Sequence, residues 1–533
     1  MENRYLSLLY PSEEKAMLYA AAESRPKISD AVCDELGLTE LFSLKNSVLS
    51  EYFTSDAEVI RYRQSIIADM LAKPEIGETL NRVLPILFDI LEIRSLDTQN
   101  NSTGESYLYS ITEIELYVSC VNSLYTGFSE LRDAVKSEAL SRLFSVVFEL
   151  AESDYYKELN QKLKELSSRV HEIRSITVGV NLDSQLRPSD AGVLSVNAEP
   201  FKSGKMLDKI LRMSFKNDAF TCIAALQPFG KTQTENRKEA LTSAFNGAIA
   251  EVFRGSVQSW RKIAGAYVLE NTDFLLRLLP EIEFFTRAVA LVKRLEAHGN
   301  KTVFPTVLPI AEKAFDSIGI YNPAVALEIS EPVVTNDFAF DDNGRIYILT
   351  GPNRGGKSVI TCAVGIAQAM LQLGLPVPAE KASISPVDGM YTHFPEGADD
   401  TIDKGRLGEE CARLRTICNA VTADSMVLLD ESLSSTGAYE AAYIAAEVLS
   451  GFGAIGCRGI FATHLHELAA STETINELSH GAGGVTIDNL VAGIEEGKRS
   501  FKVYRKRPDG KSYARDIAEQ YGLSFKELTK NRG

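Results

Sequence analysis

At 533 residues the chain is too long for one ordinary domain, and two to four domains are expected. Its make-up, 45% apolar and 24% charged, is that of a soluble globular protein with ample chain to bury a core. A formal net charge of −16 argues against a protein that coats itself with nucleic acid, although binding depends on where the positive charge is placed.

The start, Met1-Glu2-Asn3-Arg4-Tyr5, has no basic stretch leading into an apolar run, so a secretory signal is not expected. No uncharged apolar segment is long enough to span a bilayer. Seven scattered cysteines (Cys33, Cys120, Cys222, Cys362, Cys411, Cys418 and Cys457) form no C-x-x-C pair. That pattern fits reduced thiols and a cytoplasmic location rather than a disulfide framework or a zinc site.

Residues 1 to about 175 read as helical. Apolar residues recur at helical spacing through Val59-Ile60, Ile66-Ile67 and Met70-Leu71, and again from Leu80 to Leu91. Pro85 falls inside the second run and predicts a kink or a split. Leu131 to Val170 is rich in Leu, Glu and Lys and free of Pro and Gly, which suggests one extended helix. The pattern then changes. Ser175 to Leu182 alternates and is β-branched, so it reads as a strand, with Gly192 to Val196 as its neighbour. Helical spacing resumes near Arg237 and runs to Leu295. The expected layout is a helical core over 1–130, then lever helices over 131–305 with a small strand-containing tip at about 176–236.

From about residue 306 strands and helices alternate, which implies an α/β domain with a mainly parallel sheet over 306–520, followed by a short tail over 521–533. Arg345 to Thr350, Ser425 to Asp430 and Gly459 to Thr463 are buried-type strands.

Gly351-Pro352-Asn353-Arg354-Gly355-Gly356-Lys357-Ser358 follows the first of these strands and opens a helix. It fits the G-x-x-x-x-G-K-[ST] phosphate loop. Glycines let backbone N–H groups approach phosphate oxygens without a Cβ in the way. Lys357 places a cation on the β and γ phosphates, and Ser358 can ligate Mg²⁺. Asp430 ends the second strand, where a carboxylate can reach the same Mg²⁺. Glu431 follows, placed to deprotonate a water attacking the γ-phosphate. His464, directly after the third strand, can contact the γ-phosphate or that water. Ser434-Ser435-Thr436-Gly437 precedes a helical run from Tyr439 to Leu449. These residues serve equally as ordinary helix caps or as a helix start presenting N–H groups to a phosphate.

Together, Thr350 to Ser358, Met426-Val-Leu-Leu-Asp-Glu431 and Phe461-Ala-Thr-His464 resemble the ATPase domain of the MutS family, an ABC-type fold. Val377 to Ala382, Asp399-Asp400, Gly405-Arg406 and Lys511 to Ala514 are similar too, and Glu58 to Gln64 resembles the family's core region. The resemblance is strong over 320–520 and weaker before. It implies a multidomain protein, a helical core and lever region followed by a P-loop ATPase domain. It also implies an ATP- and Mg²⁺-dependent dimer in which each nucleotide lies between one subunit's loop and the other's signature segment, for which Ser435, Thr436 and Gly437 are the candidates. Val334 and Asn336 fall where the family contacts the base. The levers and tip would close around duplex or branched DNA. Residues 201 to 240 hold eight basic residues against four acidic, which makes Lys202, Lys205, Lys209 and Arg212 candidate backbone contacts.

The chain also departs from the family. Its Phe-x-Glu patterns at Phe128, Phe394 and Phe525 lie away from the position of the family's mismatch-reading wedge, so direct mismatch reading is not expected. Leu407-Gly408 replaces the family's Ser-Thr after Gly405-Arg406, and Ser432-Leu433-Ser434-Ser435 replaces a Gly-rich loop. Slow or differently gated hydrolysis is the expectation. The acidic balance keeps a second reading open, a nucleotide-gated scaffold that does not bind DNA.

Overall fold

The structure, a computed structural model, describes residues 5–45, 47–99, 105–132, 134–171, 175–186, 188–197, 199, 227–228, 273–352, 354–394, 406–495 and 498–507. Its strands are β1 Ser175–Leu182, β2 Pro188–Asn197, β3 Gln227–Pro228, β4 Thr306–Val307, β5 Phe315–Ile320, β6 Asn336–Phe340, β7 Ile346–Thr350, β8 Lys381–Ile384, β9 Met390–His393, β10 Met426–Asp430, β11 Arg458–Ala462, β12 Ile487–Glu495 and β13 Lys498–Arg505. The chain falls into two compact units. One comprises Met1–Ala72, Ser137–Ala139 and Glu283–Gly533, the other Lys73–Lys136 and Leu140–Ile282. The boundaries read from the sequence at 130 and 305 fall inside these units, so the units are a different division from the expected domains.

The first unit is built on a six-stranded sheet in the order β13-β12-β7-β11-β10-β9. β12, β7, β11, β10 and β9 run parallel, and β13 is antiparallel to β12. β7, β10 and β11 are buried along their whole length. Strands covered on both faces read as continuous apolar runs, which is why they were visible in the sequence. One face packs on helices Arg406–Ala420, Ala438–Ile455, His466–Ala470 and Thr472–Gly481 through Leu429, Phe461, Leu449, Phe452 and Leu468. A second sheet, β4-β8-β5-β6, adjoins it. Phe338 and Phe340 of β6 pack their rings on Tyr347 of β7, whose hydroxyl donates to the Ala339 carbonyl at 2.9 Å.

The helix Lys357–Leu373 is almost wholly buried, and Gly374 stops it in a left-handed conformation, φ +80°. There the Gly374 N–H returns to Leu371 O and the Leu375 N–H to Met370 O, which satisfies the last carbonyls of the helix. Buried Gln372 donates to Val387 O (2.9 Å) and Thr54 O (3.3 Å), and it accepts from Val387 N (3.2 Å). Arg63, buried in the helix Ala57–Ala72, donates to Leu9 O at 3.1 Å and to Tyr52 O. The Gln372 contact with Thr54 ties residues 1–72 to the helix beneath the sheet, while Arg63 holds residues 1–72 together. Arg458, fully buried at the start of β11, donates to Ala314 O, Ser385 O and Pro386 O, so its charge is met by carbonyl dipoles.

In the second unit, Pro74–Gln99 and Glu105–Phe128 pair antiparallel. A Cβ at Gly127 would stand 2.2 Å from Thr79 Oγ1, so glycine permits this close approach. Pro85 sits within the first helix, which continues through it rather than splitting. The expected single helix over 131–170 is two, Glu138–Glu152 and Asp154–His171. Ser153 separates them. Its hydroxyl donates to Leu150 O and accepts from Tyr156 N, a capping contact that competes with helix continuation. β1 and β2 pair antiparallel, with β3 beside β2. Helix is described again over 273–297, while the part of the expected helical run before 273 lies outside the described residues. No helix among the described residues is long and apolar enough to cross a membrane.

Candidate functional site

Because β7, β11 and β10 are parallel and adjacent, their carboxyl ends deliver Thr350, Ala462 and Asp430 to one edge of the sheet. Ligands of open parallel sheets bind outside such an edge. Gly351 leaves β7 at φ +148°, where a Cβ would stand 2.6 Å from Ala492 Cβ of β12. A Cβ at Gly355 would stand 2.7 Å from Pro352 O. Gly356, φ +91°, turns the chain into the helix that begins at Lys357. The result is an open helix N-terminus with unencumbered N–H groups, a ready anion cradle.

Lys357, only 5% exposed, curls back over the loop, and its Nζ lies 3.3 Å from Gly351 O and 3.5 Å from Pro352 O. The same Nζ is 3.3 Å from Glu431 Oε1. Glu431 Oε2 is 2.5 Å from His464 Nδ1. The imidazole meets the carboxylate through Nδ1, so its other ring nitrogen is directed elsewhere.

Asp430 is buried. Desolvation pushes its carboxyl above the ordinary range, and the hydrogen bond from Ser358 opposes the shift. Its Oδ1 is buried without a hydrogen-bond partner. An unsatisfied carboxylate oxygen beside a hydroxyl fits a hard divalent cation such as Mg²⁺. No group of three or more His, Cys, Asp or Glu side chains among the described residues is arranged to hold a metal, so such an ion would also need oxygens from a substrate or water.

Lys357, Ser358, Glu431 and His464 open into one cavity of about 1140 Å³, which Asp430 does not line. Arg354, Gly355, Gly356, Lys357, Ser358, Glu431 and His464 line its polar end, and Val334 and Asn336 also line it. Gly351 and Pro352 do not line it, and their carbonyls face Lys357 Nζ. Tyr321, Val325, Ile329 and Phe501 form an apolar wall that carries no local signature in the sequence. Phe501 belongs to β13, Lys498–Arg505, where it is flanked by basic residues, and has φ +56°. Asn336 anchors that strand. Its amide donates to Phe501 O at 3.2 Å and accepts from Val503 N at 2.8 Å.

Ser435, Thr436 and Gly437 stand apart from the cavity. Ser435 donates to Glu410 at 2.8 Å and Thr436 to Glu440 at 2.7 Å, and Gly437 precedes the helix Ala438–Ile455. Asn353, Asp399, Asp400, Gly405, Lys511 to Ala514, and the basic residues Lys202, Lys205, Lys209 and Arg212 lie outside the described residues.

Two family models match the chain, MutS domain V over residues 347–525 and the MutS2 N-terminal domain over residues 55–298. The chain belongs to the MutS family. Domain V is the ATPase domain of that family, and its match begins in β7 and takes in the loop, Asp430, Glu431 and His464. Among similar proteins is the DNA mismatch repair protein MutS of Prochlorococcus marinus (strain MIT 9312), 34% identical over 241 residues, 43% of this chain and 25% of that protein. The DNA mismatch repair protein MutS of Chloroflexus aurantiacus (strain ATCC 29366 / DSM 635 / J-10-fl) is 32% identical over 210 residues, 38% of this chain and 21% of that protein. That of Chlorobium limicola is 34% identical over 210 residues, 38% and 23%. The match spans at most a quarter of the length of each of these relatives.

Proposed function

We infer that this MutS-family chain is an ATPase whose ATP binding and hydrolysis, at a site completed by a second subunit, govern a clamp on duplex or branched DNA without direct mismatch reading. The observation that carries this reading is the single cavity in which Lys357, Ser358, Glu431 and His464 meet an apolar wall. The N–H groups at the helix start and Lys357 would hold the phosphates. Val334 and Phe501 would hold the base. Bound to Ser358 and Asp430, Mg²⁺ would neutralise charge on the β and γ phosphates. When Lys357 turns to the phosphates, Glu431 is released to accept the proton of the attacking water, and His464 holds the other carboxylate oxygen.

A second copy would meet Ser435, Thr436 and Gly437. Support comes from Tyr439 and Tyr443 just beyond them, which are 84% and 65% exposed on one face of their helix. The DNA part rests on Lys202, Lys205, Lys209 and Arg212 within an acidic chain, and on the names of the relatives. Phe128, in one of the Phe-x-Glu patterns, is fully buried against Phe144, which supports the absence of a base-reading wedge there.

The test is ATP hydrolysis measured alone and with homoduplex, mismatched and branched DNA, alongside DNA retention with and without ATP at moderate salt. DNA-stimulated turnover or ATP-sensitive retention is expected. Neutralising the four basic residues should then weaken retention and flatten its salt dependence. If DNA changes nothing, the clamp reading fails. The net charge of −16 would then favour a nucleotide-gated scaffold that partners protein.

A further inference from the structure

This inference rests on Glu431 being the general base and concerns what aims it. Glu431 has φ +46° and Leu433 φ +66°, so both carry side chains in the left-handed region that favours glycine. Such a turn persists only where its surroundings over-determine it. Three contacts do so. The Glu431 N–H donates to Ala462 O at 2.8 Å. Leu433 is buried in the core beneath the sheet. Between them, buried Ser432 has its Oγ 2.8 Å from Nδ1 of His393 and 3.4 Å from the His393 carbonyl.

His393 ends β9 and sits in register with Leu429 of β10, so this contact reaches the turn from the neighbouring strand. Both partners are buried, and neither lines the cavity. The residues on either side of the pinned stretch, Glu431 and Ser434, both line it. The imidazole–hydroxyl contact therefore fixes the direction of cavity-lining groups without touching anything bound there.

We propose that His393 is a positioning residue for ATP hydrolysis, acting through Ser432 Oγ to hold the strained turn that points the Glu431 carboxylate into the cavity. A purely structural contact would affect nucleotide binding and turnover together. A positioning contact separates them, because the phosphate cradle at Gly355 to Ser358 is built on a different strand and helix.

The test uses the full chain and compares His393→Ala, His393→Asn, Ser432→Ala and the double variant His393→Ala with Ser432→Ala. Steady-state ATP hydrolysis, binding of a fluorescent ATP analogue and thermal melting are measured. Each single alanine variant is expected to lower kcat about tenfold while KM and analogue affinity stay within about twofold. The double variant should be no slower than the singles, since both remove one contact. His393→Asn, whose amide can meet the hydroxyl, should recover most of the turnover. Parallel loss of affinity and turnover, additive effects, or wild-type kcat in both single variants would overturn the proposal. Should His393→Ala fail to fold, Ser432→Ala, which removes a single oxygen, decides. Glu431→Gln separates the two readings. If it turns over normally, Glu431 is not the base. If it is inactive while Ser432→Ala and His393→Ala hydrolyse normally, the positioning proposal alone fails.

Discussion

Lys357 Nζ and Glu431 Oε1 stand 3.3 Å apart, so the cation of the phosphate loop and the carboxylate beyond β10 form one ion pair in a largely buried setting. Breaking that pair from its two ends should have different consequences. Lys357→Ala removes a phosphate contact and is expected to weaken ATP binding itself. Glu431→Gln leaves the cradle intact, so affinity should change by no more than a few-fold while turnover falls by about 10²–10⁴. Isothermal titration with an ATP analogue and a phosphate-release assay measure the two. An equal loss of binding in both variants would remove Glu431 from the role of base.

Asp430 carries a stability cost that follows from its burial. Desolvation raises its folded pKa above the ordinary value of 3.8, and neighbouring Glu431 adds to the shift. A carboxyl with a raised folded pKa holds its proton more tightly folded than unfolded. The fold therefore gains stability as pH falls through the folded value toward the unfolded one, and loses it as pH rises from the unfolded value through the folded one. Asp430→Asn has no charge to bury. In EDTA at neutral pH it should melt above the wild type, and the gap should close as pH is lowered. The same variant should lose Mg²⁺-dependent nucleotide binding. A lower melting temperature for the variant at neutral pH would contradict this account.

Gly374 joins the far end of the P-loop helix to residues 1–72. A Cβ there would lie 2.5 Å from Arg63 Cβ and 3.1 Å from Ile60 O, at φ +80°. Gly374→Ala should destabilise the protein by about 2–4 kcal/mol, combining the backbone penalty with a clash against buried groups. Chemical denaturation measures it. A change below about 0.5 kcal/mol would show that the helix end yields freely.

Phe501 supplies ring area to a cavity wall that is otherwise aliphatic apart from Tyr321. Phe501→Ala is expected to weaken binding of ATP and ADP alike, by about tenfold, as a lost aromatic contact would. Inorganic triphosphate should bind as before. Equal weakening for triphosphate would place the ring's influence on the loop instead.

Much of the polar end of the cavity was legible in the sequence because its constraints are local. A buried strand, glycines where a backbone must approach a phosphate, and a lysine and serine at a helix start leave a short, dense signature. Asp430 and His464 were legible for the same reason, since each ends or follows a continuous apolar run. The apolar wall was not. Tyr321, Val325, Ile329 and Phe501 sit on short segments up to 180 positions apart, and nothing in a lone aromatic among basic residues distinguishes it from a surface strand. The Ser153 break was missed because one hydroxyl outweighed a long helical pattern. The joining of residues 1–72 to the sheet-bearing segment was also hidden, since it runs through Gln372, a polar side chain whose burial only tertiary structure reveals.

β13 lies at one end of the six-stranded sheet and contributes Phe501 to the cavity, whereas Asp430 ends the interior strand β10 and Glu431 follows it. An outermost strand pairs with one neighbour only, so a side-chain change there meets fewer cross-strand partners than one on an interior strand. The two ends of this cavity are therefore separable under selection. If the proposed function holds, preference for one nucleotide base over another can drift, or be engineered, through β13 and the Asn336 that anchors it, while the phosphate end stays fixed.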